Sequence, residues 1–425
     1  MRFQWHYAWI ILFVSFLGLL AVQGVRLAFG AFLEPWQTSM NTDRGTIALV
    51  SSVSFIVYGI TVPVFGKLTD RYGVTRVFGL STLLTGASTV ATAWASEPWH
   101  LFVLYGVISS IGFGGASGVV ATVAVTNWFA ARRGTAYGIL EAGFGAGQMI
   151  MAPAALFSIV TFGWEKTAVG MGIVLVCVIF PLVMLLLRTK PEEKGTAAYG
   201  AGKQEDKEAS EPPAPKDDPS KRQEAGSRML LRSSSFWLLL VPFFICGYTT
   251  TGLMDTHLIP FSHGAGHSTE ITGAAVGLLA AFNIVGCLIS GKLADLWSPA
   301  KILAVLYITR AASMVLLLAT DNTVWLFVFA IAFGLVDFAT VAPTTLFASQ
   351  HFSQYSLGFV FGLLTMSHQI GSALGSYVPG WLYTVTGSYF DAFASAVALL
   401  GIAAASSIWL VRKTHLQDNR SQLQT

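Results

Sequence analysis

Uninterrupted apolar runs constrain this chain more than any motif does. A helix rising about 1.5 Å per residue needs about 20 apolar residues to cross the hydrocarbon core of a bilayer. Twelve blocks of that kind read from the sequence, near 7–33, 46–66, 74–95, 99–125, 134–158, 166–188, 235–260, 271–291, 301–320, 323–348, 356–384 and 389–411. Short polar markers such as Ser96-Glu97-Pro98 and Thr320-Asp321-Asn322 separate neighbours. Inside a bilayer a chain must satisfy its own backbone, which leaves helices and closed barrels. The blocks are too long for strands and lack strand alternation. The expected fold class is therefore an all-α polytopic membrane protein with twelve transmembrane helices. Only 11% of the 425 residues are charged, against roughly 25% in soluble domains. An ordinary soluble enzyme is excluded, and no enzymatic activity is expected.

Charge concentrates where the apolar runs stop. The stretch from Lys190 to Arg228 includes Glu211-Pro-Pro-Ala-Pro-Lys-Asp-Asp-Pro219 and holds too little apolar surface to fold on its own. It divides the chain into a six-helix domain at 1–189, a disordered cytoplasmic linker at 190–234, a second six-helix domain at 235–412 and a polar cytoplasmic tail at 413–425. Counting alternately through twelve spans, one side carries Arg2, Lys67, Arg71, Arg76, Arg132, Arg133, Arg188, Lys190, Arg228, Arg232, Lys292, Lys301, Arg412 and Lys413. The other side carries Arg44 and Lys166. The positive-inside rule then places both termini and the linker in the cytoplasm, with the bacterial inner membrane as the expected location. The first block is long and contains Arg26, so it reads as a span rather than a cleaved signal peptide. Cys177, Cys246 and Cys287 show no spacing for a disulfide framework or a zinc site. No cofactor, metal or nucleic-acid partner is expected, and the protein is expected to act as a monomer.

An internal repeat supports the division. Gly66-Lys67-Leu68-Thr69-Asp70 closes the second block and Gly291-Lys292-Leu293-Ala294-Asp295 closes the eighth. Matched copies in matched places are what a pseudosymmetric transporter produces. Glycine permits close helix approach there, and the aspartate suits the positive end of a neighbouring helix dipole. The first copy continues as Arg71-Tyr72-Gly73-Val74-Thr75-Arg76. This run resembles the loop between helices two and three of the major facilitator superfamily, and the second copy is similar to its counterpart in the other half. Asn127-Trp-Phe-Ala-Ala-Arg-Arg-Gly-Thr-Ala-Tyr-Gly138 and Gly24-Val-Arg-Leu-Ala-Phe-Gly30 resemble the monocarboxylate and oxalate/formate branch. The resemblance implies two six-helix bundles around a central cavity opened alternately to each side. It assigns Gly66, Asp70, Arg71, Gly73, Arg76, Gly291 and Asp295 to a conformational gate. Carriers of this branch commonly place an arginine on helix eight after an Asn and a Gly. Here Asn283 and Gly286 are followed by Cys287 at that place.

Charges inside a membrane are costly, about 2.5–3.5 kcal/mol each on insertion scales, and mark function or internal pairing. Arg26 in the first span offers a planar donor fork for a carboxylate; the alternative is an internal pair, for example with Glu34. Asp337 in the tenth span and Asp255 in the seventh are candidate carriers of a coupling proton, because a nearby guanidinium favours the charged carboxylate and burial opposes it. Either could instead be a static ion-pair partner. His368, Gln369 and Asn283 are candidate substrate contacts, with interhelical hydrogen bonding as the alternative. Tyr58, Tyr248 and Phe282 are candidate cavity walls. Arg310 reads as one half of a structural ion pair, with a helix-ten carboxylate as its candidate partner. Glu141 is expected near the cytoplasmic edge, in a gate. The Gly-rich run 112–118 lacks the strand and lysine of a phosphate loop and reads as close helix packing, as do Gly143, Gly145 and Gly147.

The leading expectation is secondary active transport of a small organic anion, a carboxylate above all, by proton symport or anion exchange. Proton-driven efflux of amphipathic or cationic compounds is the alternative, favoured by the many aromatics, the membrane carboxylates and the missing arginine at Cys287. A non-transporting membrane receptor is a third reading, without an output domain to support it.

Overall fold

The structure is a computed structural model that describes residues 6–42, 44–201, 229–318 and 322–422. Among these, twelve helices are long and apolar enough to cross a membrane. In chain order they are α1 (Tyr7–Ser39), α2 (Leu49–Tyr72), α3 (Val74–Trp94), α4 (Pro98–Trp128), α5 (Arg133–Phe162), α6 (Trp164–Leu186), α7 (Ser234–Gly264), α8 (Glu270–Leu296), α9 (Pro299–Leu318), α10 (Thr323–His351), α11 (Leu357–Tyr383) and α12 (Phe390–Thr414). The fold is all-α, two bundles of six helices, as the sequence led one to expect. The chain divides into two units. One is Met1–Glu211 with Ser356–Gly362, and the other is Pro212–Tyr355 with Leu363–Thr425. The opening turns of α11 therefore group with the N-terminal unit, which the domain borders read from sequence did not foresee.

Within the N-terminal unit α1 lies along α5, and α3 along α6. Glycine sets the first approach: a side chain begun at Gly147 would lie 2.7 Å from the Leu20 carbonyl oxygen, and one at Gly143 2.8 Å from the Phe16 ring. Side chains of that size cannot coexist, so the backbones meet as small-residue packing in lipid allows. In the C-terminal unit α8 lies against α10, and α9 and α7 against α12. Gly286 meets the Leu335 carbonyl oxygen at 2.2 Å by the same construction, and Gly375 meets that of Tyr248 at 2.2 Å.

The fourth helix of each unit is interrupted. In α4 the regular run stops at Gly115 and resumes at Gly118, with Ala116 and Ser117 between them. In α10 it stops at Gly334, tightens into i→i−3 turns (Val336 N to Phe333 O, 2.9 Å; Asp337 N to Gly334 O, 3.3 Å) and resumes at Val341. Pro343 contributes to the second interruption. It has no N–H for the carbonyl four residues back, that of Ala339, and the Ser290 hydroxyl of α8 donates to that oxygen instead, at 2.5 Å. Free main-chain groups in a membrane require such partners. The glycine-rich run 112–118, expected to serve close packing, is thus also the site of the α4 break.

Two corrections concern the polar segments. Residues 190–201, expected to belong to a disordered linker, form a short turn at Pro191–Lys194 and then dock on the N-terminal unit. Tyr199 accepts from the amides of Ala130 (3.0 Å) and Ala131 (2.9 Å) and donates to the Trp128 carbonyl (2.8 Å). Its ring joins those of His6, Trp9 and Phe129. The tail after Arg412 continues the last helix through Gln422. The remainder of the expected linker, 202–228, lies outside the described residues, as do Arg2 and Trp5.

Candidate functional site

Arg26 is 7% exposed in α1 of the N-terminal unit. Its guanidinium carbon lies over the Tyr58 ring, 3.9 Å from the centroid, and 5.0 Å from that of Phe55. Phe55 and Tyr58 are three residues apart on α2, so one helical face presents both rings. The ring faces partly replace the water lost by the cation. Glu34, the carboxylate considered for an ion pair, is exposed and makes none with Arg26. No carboxylate among the described residues pairs with Arg26. Its main-chain oxygen is held by the Tyr105 hydroxyl at 2.9 Å, and one turn earlier Gln23 donates to the carbonyls of Phe113 and Ala116, both at 3.2 Å, where α4 breaks. Gln23 carries no motif that the sequence reading could use; only the break it serves explains a fully buried amide.

Glu141 stands eight residues into α5, about 12 Å along the axis from Arg133, beside the start of the second half of α4. A side chain begun at Gly118 would meet its Oε1 at 3.6 Å. Arg26 and Tyr58 meet in the N-terminal unit, and Glu141 stands by Gly118, just after the α4 break that Gln23 of α1 serves. Gln148 and Arg44 have side chains outside the described set.

The C-terminal unit holds a second buried polar group. Asn283 (8% exposed) donates through Nδ2 to Asp337 Oδ2 at 3.1 Å, and its Oδ1 accepts from the Cys287 thiol at 3.4 Å. Asn283, expected to contact substrate, is thus committed to a carboxyl. Arg310 is fully buried and was expected to form an ion pair. Instead its Nη2 donates to the main-chain carbonyls of Val336 and Asp337, and at 3.4 Å to the Thr340 hydroxyl. Its Nη1 donates to Cys246 Sγ at 3.1 Å. The rings of Tyr307 (5.6 Å) and Phe333 (5.9 Å) flank the guanidinium. The Asp337 carboxylate receives none of its bonds, and Asp337 Oδ1 and Arg310 Nε are both buried without a partner. Cys246, Ser290 and Thr340 belong to this network and gave no signal in the sequence.

The other expected residues are more dispersed. Asp255 is exposed on α7, while Asp337 is buried. His368 is buried with its ring 5.0 Å from that of Phe243. Tyr248 is buried at the start of a wide π-helical turn of α7. Phe282 and Gln369 are half-buried. His257, two residues after Asp255, donates to the Ser376 carbonyl at 2.8 Å and ties α7 to α11. A pocket of about 510 Å³ between α5 and α6, lined among others by Met151, Phe162 and Lys166, contains none of the candidate substrate, coupling or gate residues.

The expected gate residues occupy the ends of helices. Asp70 accepts a hydrogen bond from Ser356, a side chain begun at Gly66 would meet the Gly358 carbonyl, and Lys67 lies 4.3 Å from the Phe359 ring centroid. All of these residues belong to the N-terminal unit. Gly73 has φ +84° at the α2–α3 turn, a conformation that favours glycine. Arg71 and Arg76 are exposed, Gly291 is buried and Asp295 is half-buried. The 127–138 loop is a clasp. Asn127 and Trp128 donate to the carbonyls of Thr189 (3.0 Å) and Arg188 (2.8 Å) after α6, and Arg132 turns the chain with φ +59°.

Two six-helix bundles, with an interrupted fourth helix in each unit and a few charges buried within them, define a multi-pass membrane protein. Comparison with known proteins names the class: the Major Facilitator Superfamily profile matches residues 8–376, and the chain belongs to that family. It is 26% identical over 404 residues to "Uncharacterized MFS-type transporter YcxA" of Bacillus subtilis (strain 168), covering 93% of each chain. It is 24% identical over 405 residues to "Monocarboxylate transporter 12" of Mus musculus, covering 91% of this chain and 82% of that one. In fold it is similar to the proton:xylose symporter XylE (TM-score 0.74, 15% identity, 94% of each chain). The family and fold are those of transporters without enzymatic chemistry.

Proposed function

We propose that the protein carries small organic anions, carboxylates first among them, by proton symport or anion exchange, as a member of the monocarboxylate branch. The observation that carries this reading is Arg26: a buried cation, set over the Tyr58 ring and near that of Phe55, with no carboxylate partner among the described residues. An arginine so placed keeps the edge of its planar fork for a bidentate anion. The clasp at 127–138 and the relative named a monocarboxylate transporter support the branch. Tyr58 shapes the face of Arg26. Asp337 is the coupling carboxyl, with Asp255 and Glu141 as further titratable groups, while His368, Gln369, Tyr248 and Phe282 contribute walls and polar contacts. The 66–76 and 291–295 turns form the gate. The protein acts as a monomer in the bacterial inner membrane with both termini cytoplasmic, an orientation that the skew in basic residues supports.

The test is counterflow in proteoliposomes, with labelled mono- and dicarboxylates in one arm and lipophilic cations in the other, followed by uptake with and without a pH gradient. Carboxylate counterflow that a pH gradient drives uphill supports the reading. Counterflow of cations alone would replace it with proton-driven efflux.

A further inference from the structure

We propose that Arg310 is the positioning residue through which the charge on Asp337 controls the break in α10. This rests on the reading of Asp337 as the coupling carboxyl and adds the means by which its proton moves the protein.

The guanidinium of Arg310 sits at the α10 break. Its Nη2 bridges the carbonyls of Val336 and Asp337, where α10 passes from one helical run to the next, and its Nη1 reaches Cys246 on α7. One side chain of α9 thus fixes the interruption and ties it to a neighbouring helix. The same residue that supplies one of those carbonyls also supplies the competing acceptor. The Asp337 carboxyl accepts from Asn283 at 3.1 Å but not from Arg310. One donor, Arg310 Nε, and one acceptor, Asp337 Oδ1, are left over in this buried cluster.

Those leftover groups define two arrangements. With a proton on Asp337 the carboxyl is neutral, and the guanidinium stays on the main-chain carbonyls. When the proton leaves to solvent, the carboxylate becomes the stronger acceptor, since it adds the attraction of two opposite charges at low dielectric to a bond whose donor is charged in either arrangement. Arg310 is then drawn from the carbonyls to the carboxylate, and the break loses its clamp. The other groups around Asp337 do not duplicate this role. Asn283 and Cys287 of α8 are neutral bonding partners, and Tyr307 of α9 stacks on Arg310. Cys246 of α7 meets Arg310 and the Thr340 hydroxyl, Asp255 of α7 is exposed, and His368 of α11 packs against Phe243. Arg310 alone among them touches both the break and the residue that titrates.

Deuterium exchange of the full-length protein in lipid nanodiscs reads the clamp without any substrate. Between about pH 5 and about pH 9, and after correction for intrinsic chemistry, exchange of peptides spanning 335–341 should rise about tenfold in the wild type, the effect of releasing about two membrane hydrogen bonds. In Asp337→Asn it should stay slow at both pH values, and in Arg310→Gln fast at both. A flat wild-type profile, together with loss of proton-driven uptake in Asp337→Asn, would overturn the inference and leave the coupling role of Asp337 standing. Proton-driven uptake that survives Asp337→Asn would remove that role and the inference with it. Should Arg310→Gln not fold, the wild type and Asp337→Asn still decide the matter.

Discussion

Replacing Arg26 by lysine isolates what its shape contributes. Both side chains carry one positive charge, and both can rest against the Tyr58 ring, which lies 3.9 Å from the guanidinium carbon. Only arginine can give two parallel N–H bonds to one carboxylate. Lysine therefore loses one charge-assisted hydrogen bond, which contributes about 1.5–3 kcal/mol. At about 1.4 kcal/mol per factor of ten, the apparent affinity for a carboxylate should fall about 10- to 150-fold. Folding should be little affected, because no carboxylate among the described residues depends on Arg26 for its charge balance. The assay is the concentration dependence of counterflow for a labelled carboxylate in proteoliposomes, with the thermal midpoint of the purified protein measured in parallel. Lysine that transports with unchanged half-saturation would refute the bidentate contact. A large loss of thermal stability with normal affinity would show that Arg26 is a structural cation instead.

Further outcomes follow from other parts of the molecule. Asp337→Asn is expected to abolish accumulation driven by a pH gradient and to preserve exchange; accumulation at the wild-type level would remove Asp337 from coupling. In Gly286→Ala the new methyl would lie 2.2 Å from the Leu335 carbonyl oxygen, an overpacking expected to cost about 1–3 kcal/mol. Thermal unfolding in detergent should show this, while Gly277→Ala, which meets nothing within 4 Å, leaves the midpoint in place; equal midpoints for the two would contradict the packing described for α8 and α10. Tyr199→Ala removes the ring that joins His6, Trp9 and Phe129. Trypsin cleavage at Lys190 or Lys194 should then accelerate several-fold, and an unchanged rate would assign the docking of 190–201 to its main-chain bonds alone.

The sequence read most clearly where one physical requirement acts on many residues at once. Each of the twelve spans needs about 20 apolar residues to cross a bilayer, so α1 to α12 stand in the composition itself. The glycine-lysine and aspartate positions of the two matched turns were likewise legible, because a repeat at fixed places needs no contact to be seen. Reading failed where the partner of a polar group decides its meaning. Arg310 looked like half of an ion pair, and the carboxyl was indeed nearby, but its donors go to the carbonyls that the break in α10 leaves available. Asn283 looked like a substrate contact and instead holds Asp337.

Apolar length and the placement of charge, both properties of the chain alone, determined that this protein crosses a membrane in two sixfold sets of helices. Only the tertiary structure decided that α4 and α10 are interrupted and that Gln23 and Arg310 supply the donors at those interruptions. It also decided that Arg26 lies against rings rather than an acid. The physical reason is that burial of an apolar span depends on the local run of residues. The cost of a buried polar atom depends on what another helix, often far away in sequence, places within hydrogen-bonding distance.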